Sequence, residues 1–352
     1  MAITGHTGFK GSWLCLWLGE LGADVSGLSL GVPTEPSLFE LAGVEHRVRS
    51  RTGDVRDFEV VRDFVAASRP QVVFHMAAQP LVRHSLREPL VTYATNVMGT
   101  ANVLEAVRTI GGVGAVVNVT SDKCYEERNV GRGYREGDPL GGSDPYSSSK
   151  GAAELVAAGY RRSFFGGHEG PRLASVRAGN VIGGGDWGED RLVPDLMRAA
   201  LAGAPLRVRN PDAVRPWQHV LNALSGYLTV AESLLGSPVA AEAWNFGPDP
   251  GDARPVREVV ERLCELWGDG LRWESDPRAH PREAPHLALD SGAAERHLGW
   301  TPSWDLDRAL GAVVEWHRAV AGGGDARKVS LAQIAAFAAS RRASADPDPA
   351  GV

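Results

Sequence analysis

Residues 4–11 read TGHTGFKG, directly after the apolar run MAIT and directly before the apolar stretch SWLCLWLGE. Gly5, Gly8 and Gly11 stand in a GxxGxxG spacing where a first strand gives way to a first helix. Glycine at such a junction lets the backbone turn tightly and approach a diphosphate, whose charge then meets the free N–H groups and positive dipole end of the helix. Three glycines alone say little, because turns gather glycine anyway. Their position at the first strand-to-helix junction is what makes them a dinucleotide cradle. The strand itself is short: four residues precede the glycine loop, against about five or six for a buried parallel strand. Either that strand is frayed or the chain begins late.

Outward from this junction, short apolar runs at 23–30, 71–78, 113–121 and 172–183 alternate with helical patterns at 11–20, 58–67, 95–109 and 146–162. Regular alternation of this kind predicts a parallel sheet covered on both faces, a Rossmann-type doubly wound α/β fold. From residue 183 the chain is rich in Gly, Pro, Trp and Arg, with helices expected at 192–202, 220–235, 256–267 and 306–320. That texture suits a smaller C-terminal substrate-binding lobe lying over the sheet. The expected division gives 1–176 and 217–243 to the cofactor-binding domain and 177–216 and 244–338 to the lobe. Residues 339–352, which end in RRASADPDPAGV, are expected to be a disordered tail.

The 352-residue chain has 37 Lys and Arg against 43 Asp and Glu, a net charge of -6, so it lacks the basic excess of a nucleic-acid binder. Its three cysteines, Cys15, Cys124 and Cys264, are far apart and form no CxxC pair, which suggests neither a disulfide framework nor a metal site. No run of about twenty apolar residues and no signal-like N-terminus is found, so a soluble cytoplasmic protein is expected, without a membrane partner.

A dinucleotide site usually places an acid at the end of the second strand to hold the adenosine ribose. Here GLSLGVPTEP, residues 27–36, puts Gly31 there, with no arginine for a 2′-phosphate either, so this position does not choose between NAD and NADP. Asp54, in GDVRD, is a candidate contact for the adenine edge, and Ala77 and Ala78, in HMAAQP, are small residues at a strand end. Further along, VTSDKCYEE sets Ser121, Asp122 and Lys123 side by side where an apolar strand stops. DPYSSSKGAAEL then places Tyr146 and Lys150 four residues apart on one helical face, with Asp144 or Ser143 to cap it. An ammonium near a phenol favours the phenolate, and the positive ring of an oxidised nicotinamide would add to it. Bringing a tyrosine from about 10 to about 7 takes roughly 4 kcal/mol.

With these motifs in order, the chain resembles the extended short-chain dehydrogenase/reductase family up to about residue 337, and within it the nucleotide-sugar 4,6-dehydratases. TGHTGFKGSWL, FHMAAQPLVR, TNVMGT, TSDKCY, DPYSSSKGAAELV, RAGNVIGGGDW, RPWQHV and WNFGP carry the resemblance. It implies a tightly held NAD, reduced and reoxidised within one turnover, contacted by Gly5, Thr7, Gly8, Phe9, Lys10, Gly11, Asp54, Val55, Ala77, Ala78, Gln79, Asn96, Tyr146 and Lys150. It implies CDP-glucose or a related nucleotide sugar as substrate, and a CDP-4-dehydro-6-deoxy-D-glucose product. Tyr146 would take the 4-hydroxyl proton, Lys150 would support it, and Ser121 would hydrogen-bond O4. Asp122 would protonate the departing 6-hydroxyl. Lys123, where dTDP-sugar dehydratases carry a glutamate, would remove the C5 proton. Asn180, Arg191, Arg215, Arg282 and Glu283 are the candidate substrate contacts, while His219 reads as structural. His286 stands where a tyrosine is expected. Pairing through the helices at 96–109 and 146–160 would give a homodimer. An epimerase or reductase on the same scaffold would not require Asp122 and Lys123, and a non-catalytic dinucleotide sensor would not require Tyr146, Lys150 and Asp122 together.

Overall fold

The computed structural model describes residues 1–128, 131–165, 170–236, 242–278 and 287–345. Six strands, β1 (Ala2–Thr4), β2 (Ser26–Ser29), β3 (Arg49–Thr52), β4 (Val72–His75), β5 (Ala115–Val119) and β6 (Arg172–Arg177), join a seventh, Ala243–Asn245, in one sheet. Its order is Ala243–Asn245, β6, β5, β4, β1, β2, β3, and every pairing is parallel. The chain starts mid-sheet, builds outward through β3, then crosses back to β4. The order therefore reverses between β1 and β4, where a doubly wound sheet opens its binding crevice. Short as it is, β1 is not frayed: Ala2 and Ile3 are fully buried, and Thr4 pairs with Leu28 on one side and His75 on the other.

Side chains alternate across the sheet, and each face has its own apolar layer. Val72 and Phe74 of β4 and Val117 of β5 face a layer built from Trp13, Tyr227 and Trp316, while Val73 and Val116 face one built from Phe64, Val103 and Ala157. Helices Phe9–Glu20 (α1), Phe58–Ser68, Pro145–Ser163 and Val220–Gly236 match the spacing read from the sequence. The stretch expected as one helix at 95–109 divides into a π turn at Ala94–Met98 and an α-helix at Gly99–Ile110. A β-carbon on Gly99 would come within 2.8 Å of Val55, so the bare backbone lets this segment lie against the loop after β3.

The lobe carries helix Leu192–Leu201, two small strand pairs, helix Val256–Trp267 and one side of helix Leu306–Ala321. That last helix serves both layers: Leu310 and Val313 pack into the lobe's cluster, Ala312 and Trp316 into the sheet's. Two expected boundaries change accordingly. The seventh strand runs to Asn245 and belongs to the sheet rather than to the lobe. Helix Ala326–Ala345 continues well past the expected start of the tail at 339; Ala and Arg are strong helix formers, so few apolar residues suffice to extend it once its first half is docked. Residues 346–352 lie outside the described part. Phe337 is fully buried, edge-on to Trp17 of α1 at 5.6 Å and to Trp304 at 5.3 Å between ring centroids.

Because Phe337 fills the sheet's layer, Phe337→Ala is expected to cost about 3–5 kcal/mol of unfolding free energy, as a buried aromatic truncation does. Denaturant melts check it; a cost below about 1 kcal/mol would mean that the helix is only loosely laid on.

Candidate active site

At the crevice, Gly5 leaves β1 with φ +78°, and a β-carbon there would lie 2.7 Å from the backbone nitrogen of Ala77. Gly11 is equally confined, since its β-carbon would meet the Gly5 carbonyl oxygen at 2.2 Å. Gly8 caps α1 without any side-chain hydrogen bond, and the first turn holds no acid. The open N-terminus of this twelve-residue helix suits the diphosphate of a dinucleotide. Thr7 donates its hydroxyl to the Gly31 carbonyl at 2.6 Å, so Gly31 contributes backbone where an acid was sought, and no carboxylate lies on Ser26–Ser29. His6 is fully buried between Ser29 (3.0 Å) and Ser50 (2.7 Å), and burial pushes its imidazole down to about 4, leaving it neutral.

The other cofactor candidates fall into two groups. Gln79 N–H donates to Asn96 at 2.8 Å, and Asn96 in turn donates to Ser149 at 2.8 Å, which ties the end of β4 to helix Pro145–Ser163. Ala77 N–H donates to Thr4 Oγ1 at 3.2 Å, while Ala78 sits half-buried beside it. Asp54 is engaged by Arg56, whose hydrogen bonds hold its carboxyl below the usual range, and Val55 is buried next to Gly99.

A cavity of about 860 Å³ runs from Phe9 and Lys10 past the end of β5 into the lobe. Ser121, Asp122, Lys123 and Tyr146 all line it. Ser121 caps the short turn Asp122–Cys124 by accepting from Lys123 N–H at 3.2 Å, and donates to Asp122 Oδ1 at 2.9 Å. Asp122 is 3% exposed, and among the described residues its Oδ2 has no hydrogen-bond partner. A β-carbon on Gly179 would sit 1.8 Å from that oxygen, so glycine is what leaves the carboxyl its place. Lys123 is half-buried.

Asp144 caps helix Pro145–Ser163, accepting from Ser147 N–H at 2.9 Å, and so sets Tyr146 in the first turn. Lys150 follows one turn later, its Nζ donating to the Val119 carbonyl at 3.2 Å. Burial, then the nearby Lys10, push the Lys150 amine down to about 7. Lys10 itself is pushed down to about 8 by burial and Arg191, against the pull of Asp122 and Asp186. The tyrosine differs from expectation: burial raises Tyr146 to about 12, with a Ser121 hydrogen bond opposing. Desolvation outweighs the Ser121 hydrogen bond and the pull of Arg191, so the phenol is held in its protonated form.

Among the substrate candidates, Asn180 lines the cavity in a left-handed conformation (φ +41°). Arg191 lines it too, paired with Asp186 at 3.0 Å. Arg215 is buried in its wall, donating to the Val214 carbonyl at 2.9 Å. Arg282, Glu283 and His286 lie outside the described residues. His219 packs between Trp13 and Trp304, with burial lowering its pKa to about 3, a structural residue. Sequence reading passed over Arg83 and Arg209, which meet at Asp190 at 3.4 and 2.8 Å, and the buried pair Glu154–Arg177. For Glu154 a signal existed, one turn beyond Lys150 on the same face.

A parallel sheet with an open helix N-terminus at its switch point, and a Tyr–Lys pair facing a serine at a neighbouring strand end, defines a nicotinamide-dinucleotide enzyme acting on hydroxyl-bearing substrates. Residues 1–247 match the NAD dependent epimerase/dehydratase family, and the chain belongs to that family. It is 52% identical over 340 residues to the CDP-glucose 4,6-dehydratase of Salmonella typhimurium, with 95% of each chain covered. To the dTDP-glucose 4,6-dehydratase of Streptomyces griseus it is 30% identical, covering 90% of this chain and 93% of that one. The crystal structure of the dTDP-glucose 4,6-dehydratase of Streptomyces venezuelae with NAD bound superposes with a TM-score of 0.76 at 26% identity, covering 92% of this chain and 98% of that one.

The Lys150 amine, near 7 when folded and 10.5 when unfolded, costs stability most below pH 7 and least above pH 10. Without cofactor, the wild-type chain should therefore gain on Lys150→Met by about 1 kcal/mol per pH unit as pH rises through that window. Paired urea melts at stepped pH measure the gain; a flat difference would show that the amine is solvated.

Proposed function

We propose that this protein is a CDP-glucose 4,6-dehydratase, a hydro-lyase that converts CDP-D-glucose into CDP-4-dehydro-6-deoxy-D-glucose and water. The observation that carries the reading is Asp122, a buried carboxyl with one oxygen unpartnered among the described residues, set beside Lys123 in the cavity that Tyr146 also lines. A 4-epimerase or a reductase needs the tyrosine and a hydroxyl but has no use for an acid and a base next to C5 and C6. The strong likeness to the Salmonella enzyme supports CDP-glucose over other nucleotide sugars.

NAD, held by the glycine cradle and α1, supplies an acceptor for the C4 hydrogen and a donor for C6. The chain's own residues move the protons. Tyr146 takes the proton of the 4-hydroxyl, helped by Lys150 and by the Ser121 hydroxyl that hydrogen-bonds its oxygen. The resulting C4 ketone acidifies C5, from which Lys123 removes a proton and to which it returns one when C6 is reduced. Asp122 gives its proton to the departing 6-hydroxyl, so water leaves rather than hydroxide. Asn180, Arg191 and Arg215 hold the nucleotide diphosphate toward the lobe through charge-assisted bonds. In this reading the cofactor-binding part is 1–176 with 217–245 and the C-terminal helix Ala326–Ala345, and 177–216 with 246–325 form the substrate lobe. Exposed Leu90, Met98 and Leu155, on neighbouring helical segments, support a homodimer formed through that face, and we place the enzyme in the cytoplasm.

Asp122→Asn separates the steps. With NAD and CDP-glucose, it is expected to release sugar nucleotide lighter by two hydrogens, while product lighter by one water falls about a hundredfold or more, the upper part of the usual general-acid contribution. Mass spectrometry of quenched mixtures distinguishes them. Dehydration at the wild-type rate would remove Asp122 from the reaction.

A further inference from the structure

One deeply buried ion pair has no part in the reaction just described. Glu154 and Arg177 have side chains only 4% exposed, and they meet in a two-pronged contact, Nε to Oε1 at 2.8 Å and Nη2 to Oε2 at 2.9 Å. Glu154 lies one turn beyond Lys150 on the tyrosine's helix, and Arg177 is the last residue of β6. Each partner also holds a hydroxyl. Thr120 Oγ1 donates to Glu154 Oε1 at 2.5 Å, and Arg177 Nη1 donates to Tyr125 Oη at 2.7 Å. Tyr125 Oη in turn donates to Asn245 Oδ1 at 2.7 Å, on the seventh strand. Thr120 and Tyr125 are the residues that flank Ser121–Cys124 on either side, so both ends of the acid–base turn are fastened to one ion pair, and that pair is rooted in the helix carrying Tyr146 and Lys150.

We propose that Glu154 and Arg177 are positioning residues that fix the acid–base turn against the tyrosine helix, with Thr120 and Tyr125 as the two tethers. A buried ion pair is a poor source of stability, since desolvation offsets most of its attraction. Planar, two-pronged geometry is what it does supply. Acid–base chemistry depends on that geometry steeply, because a displacement of about 1 Å can cost on the order of a hundredfold in rate. The rate consequence rests on the dehydratase reading; the geometric one does not.

Removing Glu154 or Arg177 would strand a buried charge and endanger folding, so the tethers are the better target. Thr120→Val combined with Tyr125→Phe keeps shape and ion pair while deleting both hydroxyls. The double variant is expected to lower kcat for CDP-glucose about tenfold or more with KM changed less than about threefold, and Thr120→Ser, which keeps its hydroxyl, should retain wild-type kcat. Hydrogen exchange, read without substrate, should quicken at the amides of residues 121–125 in the double variant and stay unchanged across 115–118. Unchanged exchange at 121–125 overturns the proposal, whatever the activity, and so does wild-type kcat in the double variant. A wild-type protein that leaves CDP-glucose intact would instead defeat the functional reading, with the exchange experiment still deciding the positioning claim.

Discussion

The site hangs on the point where β1 and β4 end side by side. Gly5 turns there with φ +78° against the Ala77 backbone, in a space where even a methyl group would collide. That contact directs the chain at once into α1, with only Gly8 to cap it, and gives the diphosphate cradle its shape. It also aims Lys10, one residue into the helix, at the cavity, where its Nζ lies 3.4 Å from the Tyr227 hydroxyl. The same few residues thus set the cofactor's seat and one wall of the chemistry. Parallel strands make this economical: every carboxyl end faces the same edge, so the turns after β1, β4, β5 and β6 converge there.

Two lysines in that small volume would repel each other and a positively charged nicotinamide if both were fully ionised. Burial resolves the conflict in part by drawing Lys150 to about 7 and Lys10 to about 8, so near neutral pH the pocket carries less positive charge than its formula suggests. Asp122 and Asp186 pull Lys10 the other way. Tyr146, at about 12, is meanwhile held as a phenol. In the proposed reaction, positive charge brought beside the phenol would favour its ionised form, because the low-dielectric surroundings that penalise an unpaired phenolate also strengthen its attraction to a nearby cation.

What was legible in the sequence was local. The glycine junction, the Ser121–Lys123 triplet and the Tyr146–Lys150 face each lie within a dozen residues, and helix Val256–Trp267 declared its limits by apolar spacing. What was hidden depended on partners far along the chain. The strand β3, RSRT, is exposed throughout and has no apolar alternation to betray it; it exists because the β2 edge offers a ladder. Ala243–Asn245 is only three residues, below the length at which period two can be recognised. Arg177, read as part of an apolar run, acquires meaning only when the fold brings Glu154 to it from 23 residues away. The phenol's raised pKa was missed for a related reason, since a lysine four residues away is visible in sequence while the walls that desolvate the ring are not.

At the far end of the cavity, charge is arranged differently. Asp190 takes a left-handed conformation at φ +58° and meets Arg83 from the sheet side and Arg209 from the lobe, while its neighbour Arg191 turns inward to Asp186. Backbone strain of this kind, of order 1–3 kcal/mol, persists only where surrounding contacts fix it; two guanidinium groups on one carboxylate are such contacts. Arginines already paired with aspartates hold their direction, and in the proposed function that would lower the entropy lost when a diphosphate binds, since they can share their remaining N–H groups without breaking the pair. The Asp190 cluster therefore bridges the sheet side and the lobe through Arg83 and Arg209.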